Sequence, residues 1–287
     1  MHRRCIQNGA KSLLDTGSLC PVTEREEPMF IESYPKFERD MILKAEMLEN
    51  IKNYPRNLVH LLYQKYSDGI LCGTGIQVVE DKNIVVEPGL VKYKGIIYYH
   101  TTKEIILCEP LGIEQILVVH FEEQADNIND ITYTTQFLLK KDGKVEENEM
   151  ELCRFILKEG AVLRKDYQDL RDMATLHNTV NIILTPFAGI GSATLSPEIT
   201  YRFGQEMMKF KLTDAFDVSF VMHCMQQETI QKEVIEQYVR CHVPNAERGS
   251  LSQKQLHHYL TVIVDDTKRG GNRGGMMPGG TRRMLVD

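Results

Sequence analysis

The stretch from Tyr66 to His100 constrains the fold more than any other part of this 287-residue chain. Three turn signals divide it: Ser67-Asp68-Gly69 opens it, Glu80-Asp81-Lys82-Asn83 joins two apolar segments, and Pro88-Gly89 joins the next pair. Short apolar segments bounded by such residues predict a β-meander. In the last segment Val91, Tyr93, Ile97 and Tyr99 fall on one parity, with Lys92 and Lys94 on the other until Ile96. That is the two-residue period of a half-buried strand. It is a fold signal and carries no evident chemistry.

The flanks change character. Residues 1–28 mix Gly, Ser, Thr, Pro and charge without a period and read as a mobile leader. Residues 29–65 are expected to be helical: Phe37, Met41, Ala45 and Leu48 recur at helical spacing, with Glu and Lys opposite them. Asn53-Tyr54-Pro55 interrupts that pattern, because proline disfavours helix in the residue before it. A second helix then carries Leu58, Leu61 and Leu62 on one side. Core packing is the expected role of this amphipathic hairpin, with docking of another subunit as the alternative.

A β-rich domain is expected over 66–163. Beyond His100, Glu104 to Cys108, Gln115 to Glu122 and Ile131 to Lys140 are strand-like, the last alternating Ile131, Tyr133, Thr135, Phe137 and Leu139 against polar neighbours. Glu122 to Asp130 reads as a solvated loop and Asp142-Gly143 as a tight hairpin turn. Leu152 to Val162 completes the sheet or begins the helical part.

Residues 164–265 are expected to be α-helical. Tyr167, Leu170, Ala174, His177 and Asn181 share a helical stripe, broken at Pro186, Gly189 and Gly191. Ser196-Pro197-Glu198 restarts a helix with an N-cap, a proline at the first position and an acid in the first turn; Ile199, Phe203, Met207 and Phe210 form its buried face. One or two further helices span Asp214 to Cys241, with Phe220, Cys224, Ile230, Val234 and Tyr238 inward, and Ser250 caps a last one holding Leu256, Tyr259, Leu260 and Ile263. Residues 266–287, rich in Gly and Arg, read as a disordered tail. The fold class is α+β: N-terminal amphipathic helices, a β-meander or sandwich in the middle, a helical C-terminal part and disordered ends.

Composition narrows the function classes. Hydrophobic content of 42% and charged content of 26% are those of a globular protein. A net charge of -6 and a pI near 5.9 argue against a protein that coats nucleic acid over its whole surface, while leaving room for a local basic patch. No apolar run approaches the roughly 20 residues that cross a bilayer, and Met1 to Cys20 has no apolar stretch of the kind a secretory signal needs. Seven scattered cysteines without a C-x-x-C pair suit a reducing compartment, as small buried apolar groups.

No chemistry-bearing motif is complete. Gly189-Ile190-Gly191-Ser192 lacks the lysine of a phosphate-binding loop and the third glycine of a dinucleotide fingerprint, and reads as an interhelical loop. His223-Cys224 and Cys241-His242 form the single Cys/His cluster, but neighbours on a helix point about 100° apart, so buried thiols beside surface or capping histidines are expected in place of zinc. His177 is expected to be a hydrogen-bonded core histidine. The paired carboxylates Glu122-Glu123 and Glu146-Glu147 lie in polar loops, without the desolvating pocket that acid–base work needs. No catalytic residue, cofactor or metal is assigned. Arg269 and Arg273 stand in two RGG triplets, whose arginines can track phosphates and stack on bases.

Two stretches resemble a known group. The first runs through Lys44-Ala45-Glu46-Met47-Leu48, Tyr66-Ser67-Asp68-Gly69-Ile70, Val86-Glu87-Pro88-Gly89-Leu90-Val91-Lys92-Tyr93 and Gly95-Ile96-Ile97-Tyr98. The second comprises Glu151-Leu152-Cys153-Arg154-Phe155, Gly160-Ala161 and Asn178-Thr179-Val180-Asn181-Ile182-Ile183. Both resemble proteins of tail-module clusters in Gram-positive prophages and phage-tail-like bacteriocins. Some members carry a helicase label, for which this chain has neither a Walker lysine nor an acid box after a strand. The resemblance implies a non-enzymatic structural part of a contractile tail, at the baseplate or where fibres attach. It also implies contacts to other tail or baseplate proteins, as a homo-oligomer or in multiple copies within a symmetric assembly, and a location in the bacterial cytoplasm during assembly and in the particle thereafter. Phe37, Met41, Leu48, Tyr93 and Tyr99 are the candidate contact residues. The alternative is a nucleic-acid-associated protein using Arg269 and Arg273.

Overall fold

The computed structural model describes residues 34–122, 125–126 and 131–270. The chain divides into two units after Asn57, inside the first helix. That helix, α1 (Ala45–Tyr63), is continuous: Pro55 lies inside it and does not end it. The expected pair of N-terminal helices is therefore one. Proline removes the bond to the carbonyl four residues back, and here that residue, Ile51, is exposed, so water can serve its carbonyl instead.

Eleven strands follow among the described residues: β1 (Gly69–Gly73), β2 (Ile76–Val79), β3 (Asn83–Val86), β4 (Gly89–Tyr93), β5 (Ile96–His100), β6 (Glu104–Ile106), β7 (Glu114–Phe121), β8 (Ala125–Asp126), β9 (Ile131–Thr132), β10 (Thr135–Lys140) and β11 (Glu149–Ile156). They form antiparallel sheets in the orders β1-β4-β5, β2-β3-β6 and β10-β7-β11, with β8 and β9 as a separate pair. Strands adjacent in sequence are thus shared between sheets, and no simple meander forms. The Glu80-Asp81 turn joins β2 to β3 as expected, with both residues at positive φ. Pro88-Gly89, in contrast, carries the chain from one sheet to another. Asp142-Gly143 likewise joins strands that flank β7 and do not pair with each other. A true two-residue hairpin turn, Lys94-Gly95, lies where a continuous strand is expected, with φ of 46° and 79°.

The strand β7 is central and buried on both faces, which accounts for its unbroken apolar run Ile116-Leu117-Val118-Val119. Phe121 at its end stacks on Tyr93, ring centroids 4.0 Å apart. One hydrophobic cluster runs from Ile70, Val86, Val91, Leu117 and Phe155 to Met173, Leu195, Phe203, Tyr238 and Leu260, so the sheets and the later helices share a core.

The region expected to be a long helix after Asp166 is not one. Only α2 (Leu170–Met173) forms, capped by Asp169. Residues 174–195 are extended or looped and add to sheet edges. The Arg154 and Asn181 backbones exchange both bonds, at 2.9 and 2.8 Å, and Asn178 N–H donates to Ile156 at 2.7 Å. Further on, Ile70 N–H donates to Pro186 and Ala188 N–H to Ile70, covering the edge of β1. Gly69 permits that approach: a Cβ there would lie 2.8 Å from the Ala188 nitrogen. The β-branched run Thr179-Val180-Asn181-Ile182-Ile183 suits this extended conformation.

Four helices complete the described residues: α3 (Pro197–Met207), α4 (Ala215–Met225), α5 (Lys232–His242) and α6 (Gln253–Lys268). Ser196 and Asp214 cap α3 and α4, while the cap of α6 is Ser252, in a capping box with Gln255, and not Ser250. Phe220, Cys224, Ile230 and Tyr238 point inward as expected; Val234 is exposed. Buried Glu206 ties three helices together, accepting from the first N–H of α2 at 2.7 Å and pairing with Lys268 at 3.1 Å. Among the described residues no helix is long and apolar enough to cross a membrane.

Candidate interaction surface

Helix α1 has no buried residue. Its apolar side chains nevertheless gather on one side: at about 100° per residue, Leu48, Ile51, Tyr54, Leu58, Leu61 and Leu62 fall within one arc, and each is 46% to 64% exposed. An amphipathic helix normally turns such an arc onto its own core. The core packing expected of this segment is not seen, since α1 buries no side chain.

The C-terminal end of α1 is fixed by Lys92 of β4. Its Nζ donates to the carbonyls of Tyr66 at 2.6 Å, Tyr63 at 2.9 Å and Gln64 at 3.4 Å. The terminal carbonyls of a helix lack intrahelical partners and carry partial negative charge, so an ammonium is the fitting cap. On the alternating pattern of its strand Lys92 reads as solvent-facing, yet it is buried.

A second apolar surface lies on the edge strand β6, which pairs with β3 alone. Ile105 and the following Leu107, Leu111 and Ile113 are all exposed.

The residues singled out by sequence scatter. Leu48 lies on the exposed arc of α1, but Phe37 and Met41 precede the helix, exposed in irregular chain. Tyr99 is exposed on β5, an edge strand. Tyr93 is not a free contact: beyond its stack on Phe121, its hydroxyl donates to the Glu147 carbonyl at 2.8 Å. Arg269 follows α6 and is exposed; Arg273 lies outside the described residues, as do the leader 1–28, most of the expected loop 122–130 and most of the tail.

The chemical candidates resolve into structural groups. In the Gly189–Ser192 loop the Gly191 N–H donates to Lys65, the Ile190 N–H to Gln231 Oε1 at 2.6 Å and the Gly189 N–H to Ser67 Oγ. These donors are spoken for, and the loop follows extended chain instead of a helix. The imidazole of His242 sits between Asp217 Oδ1, 2.8 Å from Nε2, and the Tyr238 carbonyl, 2.8 Å from Nδ1, while the Tyr238 hydroxyl donates to the same Asp217 oxygen at 2.7 Å. This buried group joins α4 to α5. Cys224 is buried, its thiol pushed up to about 12 by desolvation, whereas Cys241 and His223 are exposed. Among the described residues no group of three or more His, Cys, Asp or Glu is placed to hold a metal ion. His177, expected in the core, is exposed beside β11.

Sequence reasoning missed a cleft of roughly 480 Å³ between α6, α2 and the end of β11, lined by Arg154, Arg171, Lys254, His257, His258 and Asp265 among others. Its charges are largely paired: Arg154 with Glu151 and Glu114, and Arg171 with Asp265. His257 is held down to about 4 by burial, reinforced by His258, against a hydrogen bond to the Leu170 backbone.

No family model and no curated protein matches the chain. Among solved structures, a crystal structure of TssK covers 83% of this chain and 69% of its own, at 10% identity and a TM-score of 0.35. That is too distant to bear on fold or function.

Proposed function

We propose that this chain is a structural assembly component of a phage-tail-like contractile particle, at the baseplate or where fibres attach. It works through protein–protein contacts and turns over no substrate. The observation that carries the reading is the apolar arc of α1, from Leu48 to Leu62, whose side chains are exposed. Contiguous exposed apolar surface marks a site of association, and the edge strand β6 with Ile105 and Leu107 adds a second. The two stretches that resemble prophage tail-module proteins supply the setting. Its partners are other tail or baseplate proteins, in an assembly where symmetric copies provide avidity. It resides in the bacterial cytoplasm during assembly and afterwards in the particle.

The test is sedimentation of particles from the native host. The chain should co-sediment with intact tails, and a folded Leu58→Asp/Leu61→Asp variant should be lost from them. Intact tails that lack the chain would end this reading.

A further inference from the structure

The arc on α1 has a register. Leu48, Ile51, Leu58 and Leu62 are separated by three, seven and four residues. With Leu48 at position a of a seven-residue repeat, Ile51 and Leu58 occupy d, and Pro55 and Leu62 occupy a. This is the spacing by which helices pack along their length. The flanking g positions hold Met47, Tyr54 and Leu61, so the apolar face is wider than a two-stranded seam and has the breadth used inside a bundle. Glu46, Glu49, Arg56 and His60 fall at b and f, on the far side.

We propose that the occupant of this face is α1 of other copies of the same chain, in a parallel, in-register bundle of three or more helices. Like charges at e and g are the usual bar to pairing identical helices. Of the six residues at those positions (Ala45, Met47, Lys52, Tyr54, Val59 and Leu61) Lys52 alone is charged. Pro55 favours like with like as well. In-register copies place their prolines at one level, so any bend that a proline imposes is shared by all. More than two copies around one axis form a closed ring of equivalent subunits, which sets the helices parallel. Assembly from separate chains follows mass action, so association depends on concentration. The inference draws its setting from the assembly role, yet it fails or stands separately.

Sedimentation equilibrium of the full chain is the first measurement. A mass of three or more chains at high concentration, reduced to one chain in Leu58→Asp/Leu62→Asp with an unchanged thermal melt, is the expected result. The second uses Leu58→Cys with Cys5, Cys20, Cys72 and Cys241 replaced by serine. Mild oxidation should link copies through position 58, whereas Asn57→Cys, at position c, should stay unlinked. A monomer at every concentration, or an oligomer that survives the double substitution, overturns the proposal. A monomer that enters tails through α1 also overturns it and leaves the assembly role standing. An α1-dependent oligomer absent from tails upholds it and ends that role.

Discussion

The ammonium of Lys92 sits 2.6 Å from the carbonyl oxygen of Tyr66 and 2.9 Å from that of Tyr63, so a side chain of β4 closes the end of α1. Lys92→Met keeps the aliphatic stem and removes the donor. Tyr63 and Tyr66 are half-buried, so the loss should fall at or below the low end of the roughly 1–3 kcal/mol that a buried carbonyl costs when it loses its partner, and urea unfolding should show it. Unchanged stability would mean that water replaces the ammonium without penalty.

Acid should weaken the fold through His257. Its folded value near 4 lies below the ordinary histidine value of 6.5, so between those limits the unfolded chain binds the proton and the folded chain does not. Stability is therefore full above about pH 6.5 and falls as pH drops toward 4. A gap of this size is worth ~3 kcal/mol. In His257→Leu the difference in unfolding free energy between pH 7 and pH 4.5 should shrink by a comparable amount; an identical pH profile would contradict the assignment.

Thiol reactivity should follow burial. In a chain with Cys5 and Cys20 replaced by serine, Cys72 and Cys241 are exposed, while Cys108, Cys153 and Cys224 are buried. Desolvation raises all three buried thiols, Cys108 to about 11, and the thiolate is the reactive form. A thiol reagent followed by peptide mapping should label the first two in the native state and the other three only after denaturation.

A charge on α1 and a charge in β7 should differ sharply. Leu61→Asp alters a side chain that is 64% exposed and should move stability by no more than about 0.5 kcal/mol. Leu117→Asp places a carboxylate at a fully buried position of the central strand and should prevent folding. Circular dichroism melts decide it, and equal damage from both would show that α1 packs on the core.

Gly189 is constrained by space. A Cβ there would stand 2.6 Å from the Ser192 carbonyl oxygen and 3.0 Å from Gln231 Oε1. Gly189→Ala should cost about 1–3 kcal/mol, whereas Gly191→Ala meets no neighbouring atom but takes a residue at φ of 81°. Denaturation midpoints for the first variant that match wild type would show that the loop shifts freely.

Helices α3 and α4 were legible because independent signals agree: Ser196-Pro197-Glu198 and Asp214 cap segments whose apolar spacing is already helical. Residues 174–195 were not, since Leu176, Val180 and Leu184 fit a helical period while the backbones of Leu176, Asn178 and Asn181 bond to β11 and those of Pro186 and Ala188 to β1, contacts that local spacing does not encode. The same non-locality hid the change of sheet at Pro88-Gly89 and the inward turn of Lys92. For the interaction surface, the apolar spacing of Leu48, Leu58 and Leu61 was readable, but its exposure was not. A period reports that one face is apolar and says nothing of what covers it. Phe37 and Met41 fitted the period by chance of spacing, outside the helix it was meant to describe.

Because no side chain of α1 is committed to the interior, selection on what it grips is decoupled from selection on whether the protein folds. Substitutions at Leu48, Ile51 or Leu62 can accumulate without eroding the body of the molecule, so related chains are free to diverge in their binding preferences while keeping one architecture.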